Sequence, residues 1–198
     1  MPELEAMPSA SSTGVRCPVF LLLDDHPAFR LGVRAIVSSR WKNAEIREAS
    51  TVAEVRRILE TGTVDLAILD QSVGSERGID LVPDLVAKGC RVVVLSMSSD
   101  RLAMVQARRW GAIGWIRKDE SPAAILTGIE MTFAGRSIWA EAQVGLSPKE
   151  SEVLDGMYRQ VALKEIAAGM GVSYSTMNTH KRRILSKLGL SGERDPQG

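Results

Sequence analysis

Cysteine is scarce in this chain: Cys17 and Cys90 are the only two in 198 residues, with no paired spacing and no histidine cluster nearby. A disulfide framework and a Cys/His zinc site are excluded on that ground, and the pattern fits a reducing cytosol. Excess charge is lacking too. The 25 basic residues nearly balance the 24 acidic ones, for a formal net charge of +1. A globally basic glove for nucleic acid is therefore excluded, and any such surface must come from local segregation of charge. Long apolar runs are missing as well; none approaches the roughly 18 residues a membrane helix needs. The first 16 residues, Met1 to Arg16, mix Pro, Ser, Glu and Thr without an apolar stretch. They read as a disordered leader, not a signal peptide.

What is present is a rhythm of strand-length apolar runs alternating with helical stripes. Strands are predicted over Val19–Leu23, Ala44–Ala49, Leu66–Leu69, Val92–Leu95 and Gly114–Ile116. Between them recur Phe29, Val33, Ile36 and Val37, then Val52, Val55, Ile58 and Leu59, then Ile79, Leu81, Val82 and Leu85, then Leu102, Val105 and Trp110. Ser121-Pro122, an N-cap followed by proline at the first helical position, opens a fifth helix through about Phe133. Five β/α units over residues 17–135 make one doubly wound (βα)5 α/β domain of flavodoxin-like order, with its ligand site beyond the carboxyl ends of the strands.

Acidic residues stand at two of those ends: Asp24 and Asp25 after the first strand, Asp70 at the third. A strand order of 2-1-3-4-5 sets these strands side by side, so the three carboxylates converge. Together they are costly unless a divalent cation neutralises them, and hard oxygen ligands favour Mg²⁺.

After Gly135 the pattern changes. Residues 136–145 form a connector without clear periodicity, and 146–190 a second, small all-α domain. Ser147-Pro148-Lys149-Glu150 is a capping box with proline inside it. Val153, Leu154 and Met157 give that helix an apolar face. Lys164–Met170 is a second helix, Gly171-Val172-Ser173 a turn, and Tyr174–Leu188 a third helix stopped by Gly189. This is helix-turn-helix spacing. The third helix carries Lys181, Arg182, Arg183 and Lys187 and no acid. Met177, Ile184 and Leu188 share one face and should pack inward, while Ser175, Asn178, Thr179 and Arg182 lie opposite. Ser175, Thr176, Asn178, Thr179, Lys181, Arg182, Arg183 and Lys187 are thus the candidate DNA contacts, with polar groups toward base edges and cations toward phosphates. His180 falls on neither side cleanly and reads as structural or phosphate-near.

Leu22-Leu23-Asp24-Asp25-His26-Pro27, Val64-Asp65-Leu66-Ala67-Ile68-Leu69-Asp70 with Gly78 eight residues on, Val93-Val94-Leu95-Ser96, and Gly111-Ala112-Ile113-Gly114-Trp115-Ile116-Arg117-Lys118 resemble the receiver domains of response regulators of the NarL/FixJ family. Leu146–Leu190 resembles the LuxR-type helix-turn-helix. The resemblance implies that Asp70 is the phosphoacceptor. It makes Asp24, Asp25, Asp70 and the backbone carbonyl of Ser72 the Mg²⁺ ligands. Lys118 would supply an ammonium to the phosphoryl oxygens and Ser96 a hydroxyl. Trp115 would stand where the family carries a Tyr or Phe that reorients on activation. It further implies a cytoplasmic transcription regulator, not an enzyme, with a sensor histidine kinase and double-stranded DNA as partners, no membrane association, and a homodimer on activation.

Two departures stand out. The family usually has an apolar residue and then proline three and four residues past the acceptor; here stand Val73 and Gly74, which makes a more flexible loop expected. The family's fourth effector helix has no counterpart in the short tail 191–198, rich in Gly, Pro and charge, so dimerisation is expected to run through the receiver. An aspartate-based phosphohydrolase of the haloacid-dehalogenase kind also needs an acidic Mg²⁺ pocket. Its two acids stand two residues apart, however, whereas Asp24 and Asp25 are adjacent, and it leaves the C-terminal helices unexplained. A receiver-based protein-interaction module with weak or lost DNA binding is the other alternative.

Overall fold

The computed structural model describes residues 16–98, 100–139 and 146–188. Five strands, β1 (Val19–Leu23), β2 (Glu45–Ala49), β3 (Leu66–Asp70), β4 (Arg91–Ser96) and β5 (Gly114–Arg117), form one parallel sheet in the order β2-β1-β3-β4-β5. The expected order is the one found. A parallel sheet covered on both faces needs apolar side chains on both, which is why the inner strands read as unbroken apolar runs. Leu21, Leu23, Leu69, Val92, Val94 and Trp115 point to one face, covered by α2 (Val52–Thr61), α3 (Val82–Ala87) and α4 (Arg101–Arg109). Phe20, Leu22, Leu66, Ile68, Val93 and Leu95 point to the other, covered by α1 (Pro27–Arg40) and α5 (Pro122–Phe133). Each such side chain contributes about 1.5–3 kcal/mol by leaving water. The caps fall where the sequence puts them: Ser121 accepts the Ala124 N–H at the start of α5, and Pro122 follows it.

Three stretches differ from expectation. The segment after Asp70 is not a plain loop. Ser72–Val73 and Glu76–Arg77 pair as a hairpin, followed by a 3₁₀ turn, Gly78–Leu81. Gly78 is required there, because a Cβ would stand 2.1 Å from the Asp70 carbonyl oxygen. The connector also has structure at its start. Ile138 bridges to Gly114, its N–H donating to the Ile113 carbonyl at 2.9 Å, so it extends the sheet past the edge of β5; the rest of the connector, 140–145, lies outside the described residues. Arg16, assigned to the leader, pairs with Asp65; residues 1–15 lie outside the described residues.

The second unit comprises α6 (Pro148–Tyr158), α7 (Leu163–Gly169) and α8 (Tyr174–Lys187). Both halves of the capping box form: Glu150 N–H donates to Ser147 Oγ, and Ser147 N–H to Glu150 Oε2. Val153, Leu154, Ile166, Ala167, Met177, Ile184 and Leu188 make its core, as the helical spacing requires.

The two units meet along α4. Leu102 and Val105 pack against the core of the second unit. Arg109 donates to the Ser151 carbonyl at 2.7 Å and pairs with Asp155 at 3.4 Å, and Arg101 donates to the Leu188 carbonyl at 2.9 Å. Tyr158 closes the junction: Trp110 meets it edge-on at 5.3 Å and the Arg77 guanidinium lies 4.5 Å over its ring. Burial there pushes the Tyr158 phenol up to about 12.

Candidate functional site

The carboxyl ends of β1 and β3 are adjacent because those strands pair from Phe20↔Leu66 to Leu23↔Leu69. One residue on, Asp24 and Asp70 are both buried, and oxygens of Asp24, Asp25 and Asp70, with a His26 nitrogen, lie within 4.8 Å of one another. Lys118, just past β5, reaches across beneath them. Its Nζ stands 2.7 Å from Asp24 Oδ2 and 2.5 Å from Asp70 Oδ2, and its side chain is only 5% exposed. Three carboxylates against one ammonium leave net negative charge in a partly buried pocket. Burial raises the Asp70 carboxyl above its ordinary value; Lys118 opposes that and Asp24 reinforces it. Asp25 is lowered instead, chiefly by the Gly74 N–H that donates to its Oδ2 at 2.7 Å.

That last bond changes the meaning of the departure in this loop. Gly74 has φ +58° and donates its N–H to a pocket carboxylate. Proline could do neither. Glycine here joins the hairpin to the acidic pocket rather than loosening it.

The donor set suits a hard divalent cation: several carboxylate oxygens on rigid strand ends, with one edge open to solvent at Asp25 and His26. Ser72 lies at the rim, its N–H 3.4 Å from Asp70 Oδ1. Ser96, at the end of β4, is buried, and its hydroxyl donates to Gln71 Oε1. Trp115 is turned inward and 6% exposed, with no hydrogen-bond partner for its indole nitrogen among the described residues.

On the effector unit, Met177, Ile184 and Leu188 are buried, while Ser175, Thr176, Thr179, Arg182 and Arg183 are exposed and Asn178 and Lys181 half-buried. The interface with α4 leaves this face uncovered. Thr176 is partly committed to the helix start, its hydroxyl 2.9 Å from that of Ser173. Lys187 has a partner within the unit that the sequence did not suggest. Its Nζ stands 2.7 Å from Glu150 Oε2, so it holds the capping box of α6, because one turn at the end of α8 crosses the start of that helix. His180 is half-buried, with Nδ1 unpartnered among the described residues. Gln71, Arg77 and Tyr158 escaped the sequence reading, and the role of Gly74 was not legible there, since these roles depend on neighbours remote in the chain.

A doubly wound domain with an acidic pocket at its strand ends, joined to a helix-turn-helix unit, defines a receiver–effector protein. Residues 20–130 match the response regulator receiver domain and residues 144–195 the bacterial regulatory proteins of the luxR family. The chain belongs to the NarL/FixJ family of response regulators and is a two-component transcriptional regulator. It is 27% identical over 191 residues to the nitrate/nitrite response regulator protein NarL of Escherichia coli K12, covering 86% of this chain and 88% of that one. It is 28% identical over 181 residues to the transcriptional regulatory protein UhpA of Salmonella typhimurium LT2, covering 87% and 92%. Its fold is similar to that of the two-component response regulator RcsB in a DNA complex, with TM-score 0.62, 22% identity, and coverage of 91% of this chain and 95% of that one. Among the described residues no helix is long and apolar enough to cross a membrane.

Proposed function

We propose that Asp70 accepts a phosphoryl group from a sensor histidine kinase in the cytoplasm, and that this modification sets how the effector unit engages double-stranded DNA. The observation that carries the reading is the convergence of three carboxylates within 4.8 Å beside a buried ammonium at the ends of adjacent strands. In the transfer a phosphorus–nitrogen bond of phosphohistidine breaks, a bond from Asp70 Oδ to phosphorus forms, and the imidazole takes up a proton. Asp24, Asp25, Asp70 and the Ser72 carbonyl would hold Mg²⁺, which when bound neutralises charge on the phosphoryl oxygens. Lys118 supplies the second positive charge and Ser96 a hydroxyl donor. The layout we propose is a receiver over 17–135, a linker over 136–145 and an effector domain over 146–190, with a leader before and a short tail after.

The junction along α4 gives phosphorylation a route to the effector. A change at the Ser96 end of β4 biases α4, and α4 either holds the effector or frees it and the receiver surface for a homodimer. Ser175, Asn178, Thr179 and Arg182 then face base edges, and Lys181 and Arg183 the phosphates. Incubation with acetyl phosphate and Mg²⁺ tests the first step. One phosphoryl group is expected by intact mass, absent in Asp70→Ala. A mass increment that persists in that variant overturns the assignment.

A further inference from the structure

Gln71 follows the acceptor directly, yet its side chain turns away from the acidic pocket and links two other elements. Its Oε1 accepts the Ser96 hydroxyl, for which the Ser98 carbonyl at 3.1 Å is the competing acceptor, and its Nε2 donates to Asp100 Oδ2 at 3.4 Å. Its backbone is fixed independently, with N–H on the Leu95 carbonyl at 3.0 Å, so the side chain can move while the main chain stays. The other oxygen of Asp100 accepts the Ala103 N–H at 3.1 Å and caps α4. That helix carries Arg101, Leu102, Val105 and Arg109, the residues that hold the effector unit. A continuous chain of contacts therefore runs from the Ser96 hydroxyl through Gln71 to the cap of α4 and on to the effector.

A hydroxyl has one proton. While Ser96 donates it to Gln71, it is not donated to a phosphoryl group on Asp70. Anionic phosphoryl oxygens are stronger acceptors than an amide carbonyl, so they win the proton once they are present. The Gln71 carbonyl, half-buried, then has lost its donor, and the amide must turn to find another, which removes its hold on Asp100. An aliphatic side chain at this position could make neither contact.

We propose that Gln71 is a positioning residue that acts as a latch: in the unphosphorylated protein it ties Ser96 to the N-terminus of α4 and so favours the docked effector. The proposal rests on the reading of Asp70 and Ser96 given above. It is a population bias, because the latch contributes only in the docked state.

The test uses the full-length chain. Hydrogen exchange is measured without phosphorylation at the start of α4 (Ala103, Met104) and along α6 (Ser151–Asp155). Gln71→Leu is expected to lower protection at both places about three- to tenfold, the scale of one neutral hydrogen bond. Ser96→Ala, which also removes the acceptor of the Ser98 N–H, is expected to lower protection at α4 at least as much, and the double variant no more than Ser96→Ala alone, since the hold of Gln71 on α4 is already lost there. The acetyl phosphate concentration that half-releases α6 is expected to fall at least about threefold in Gln71→Leu, which mere loosening of the receiver would not produce. Wild-type protection in Gln71→Leu, or losses that add, overturn the latch. If circular dichroism shows Gln71→Leu misfolded, the unbranched Gln71→Met carries the same expectations. Phosphorylation is scored separately by mass: a chain that never gains the phosphoryl group sinks the phosphoacceptor reading, while one that gains it with unchanged exchange in Gln71→Leu sinks the latch alone.

Discussion

Replacing Lys187 by Met should destabilise the effector unit more than it alters DNA recognition. The Glu150 side chain is 4% exposed and Lys187 38%, so the pair is neither buried nor free. Breaking a fully buried pair costs about 3–5 kcal/mol, and an exposed one contributes about 0.2–1. The Ser147 N–H, 2.7 Å from Glu150 Oε2, is a partner that the substitution does not remove. A loss of about 1–3 kcal/mol is therefore expected, and in so small a unit each kcal/mol lowers Tm by about 4–8 °C. The pH dependence supplies a second, sharper signature. Lys187, with help from Ser147, holds the Glu150 carboxyl down at about 2 against an ordinary 4.5. A depressed carboxyl stabilises the fold fully above its unfolded value and loses that contribution as pH falls through its folded value. The gap between wild type and Lys187→Met should then be flat above about pH 4.5 and close on the way to about pH 2. Hydrogen exchange of α6 and α8 at several pH values reads it. Equal stability of the two proteins at pH 7, or a gap that does not narrow in acid, refutes the reasoning. The same variant should leave the salt dependence of DNA binding unchanged, because Lys187 is committed to Glu150.

Arg182→Ala should cost about 1–3 kcal/mol at the preferred DNA site and relax selectivity there, read by titration against matched and scrambled duplexes; a uniform loss across sequences would make Arg182 a phosphate contact. Arg183→Ala should instead weaken all sequences alike and flatten the salt dependence by roughly one unit. Gly74→Pro removes the N–H that Asp25 accepts and cannot adopt φ +58°, so labelling of Asp70 by acetyl phosphate should fall at least about tenfold while the far-ultraviolet spectrum is kept; normal labelling would show that the hairpin does not shape the pocket. Tyr158→Ala removes both ring contacts at the junction, with Trp110 and Arg77, and should raise hydrogen exchange in α4 while Asp70 still takes up one phosphoryl group by mass.

Much of this was legible in the chain. Strand-length apolar runs such as Val19–Leu23 are legible because a strand buried on both faces must be apolar at every position. The caps at Ser121 and Ser147 are local, since a side chain satisfies a backbone N–H three residues on. The acids at strand ends and the basic third helix of the effector are equally local patterns, and the resemblance gave them roles. Tertiary structure alone decided the rest. That Lys187 pairs with Glu150 depends on how α8 crosses α6, 37 residues away in sequence. That Gly74 donates to Asp25 depends on β1 and β3 lying side by side. That Gln71 joins Ser96 to Asp100, and that α4 meets the effector while the outward face of α8 stays exposed, depends on the packing of elements brought together from different parts of the chain. Short-range hydrogen bonding and periodic burial are written residue by residue; the partner of a polar side chain is written only in the fold that brings it near.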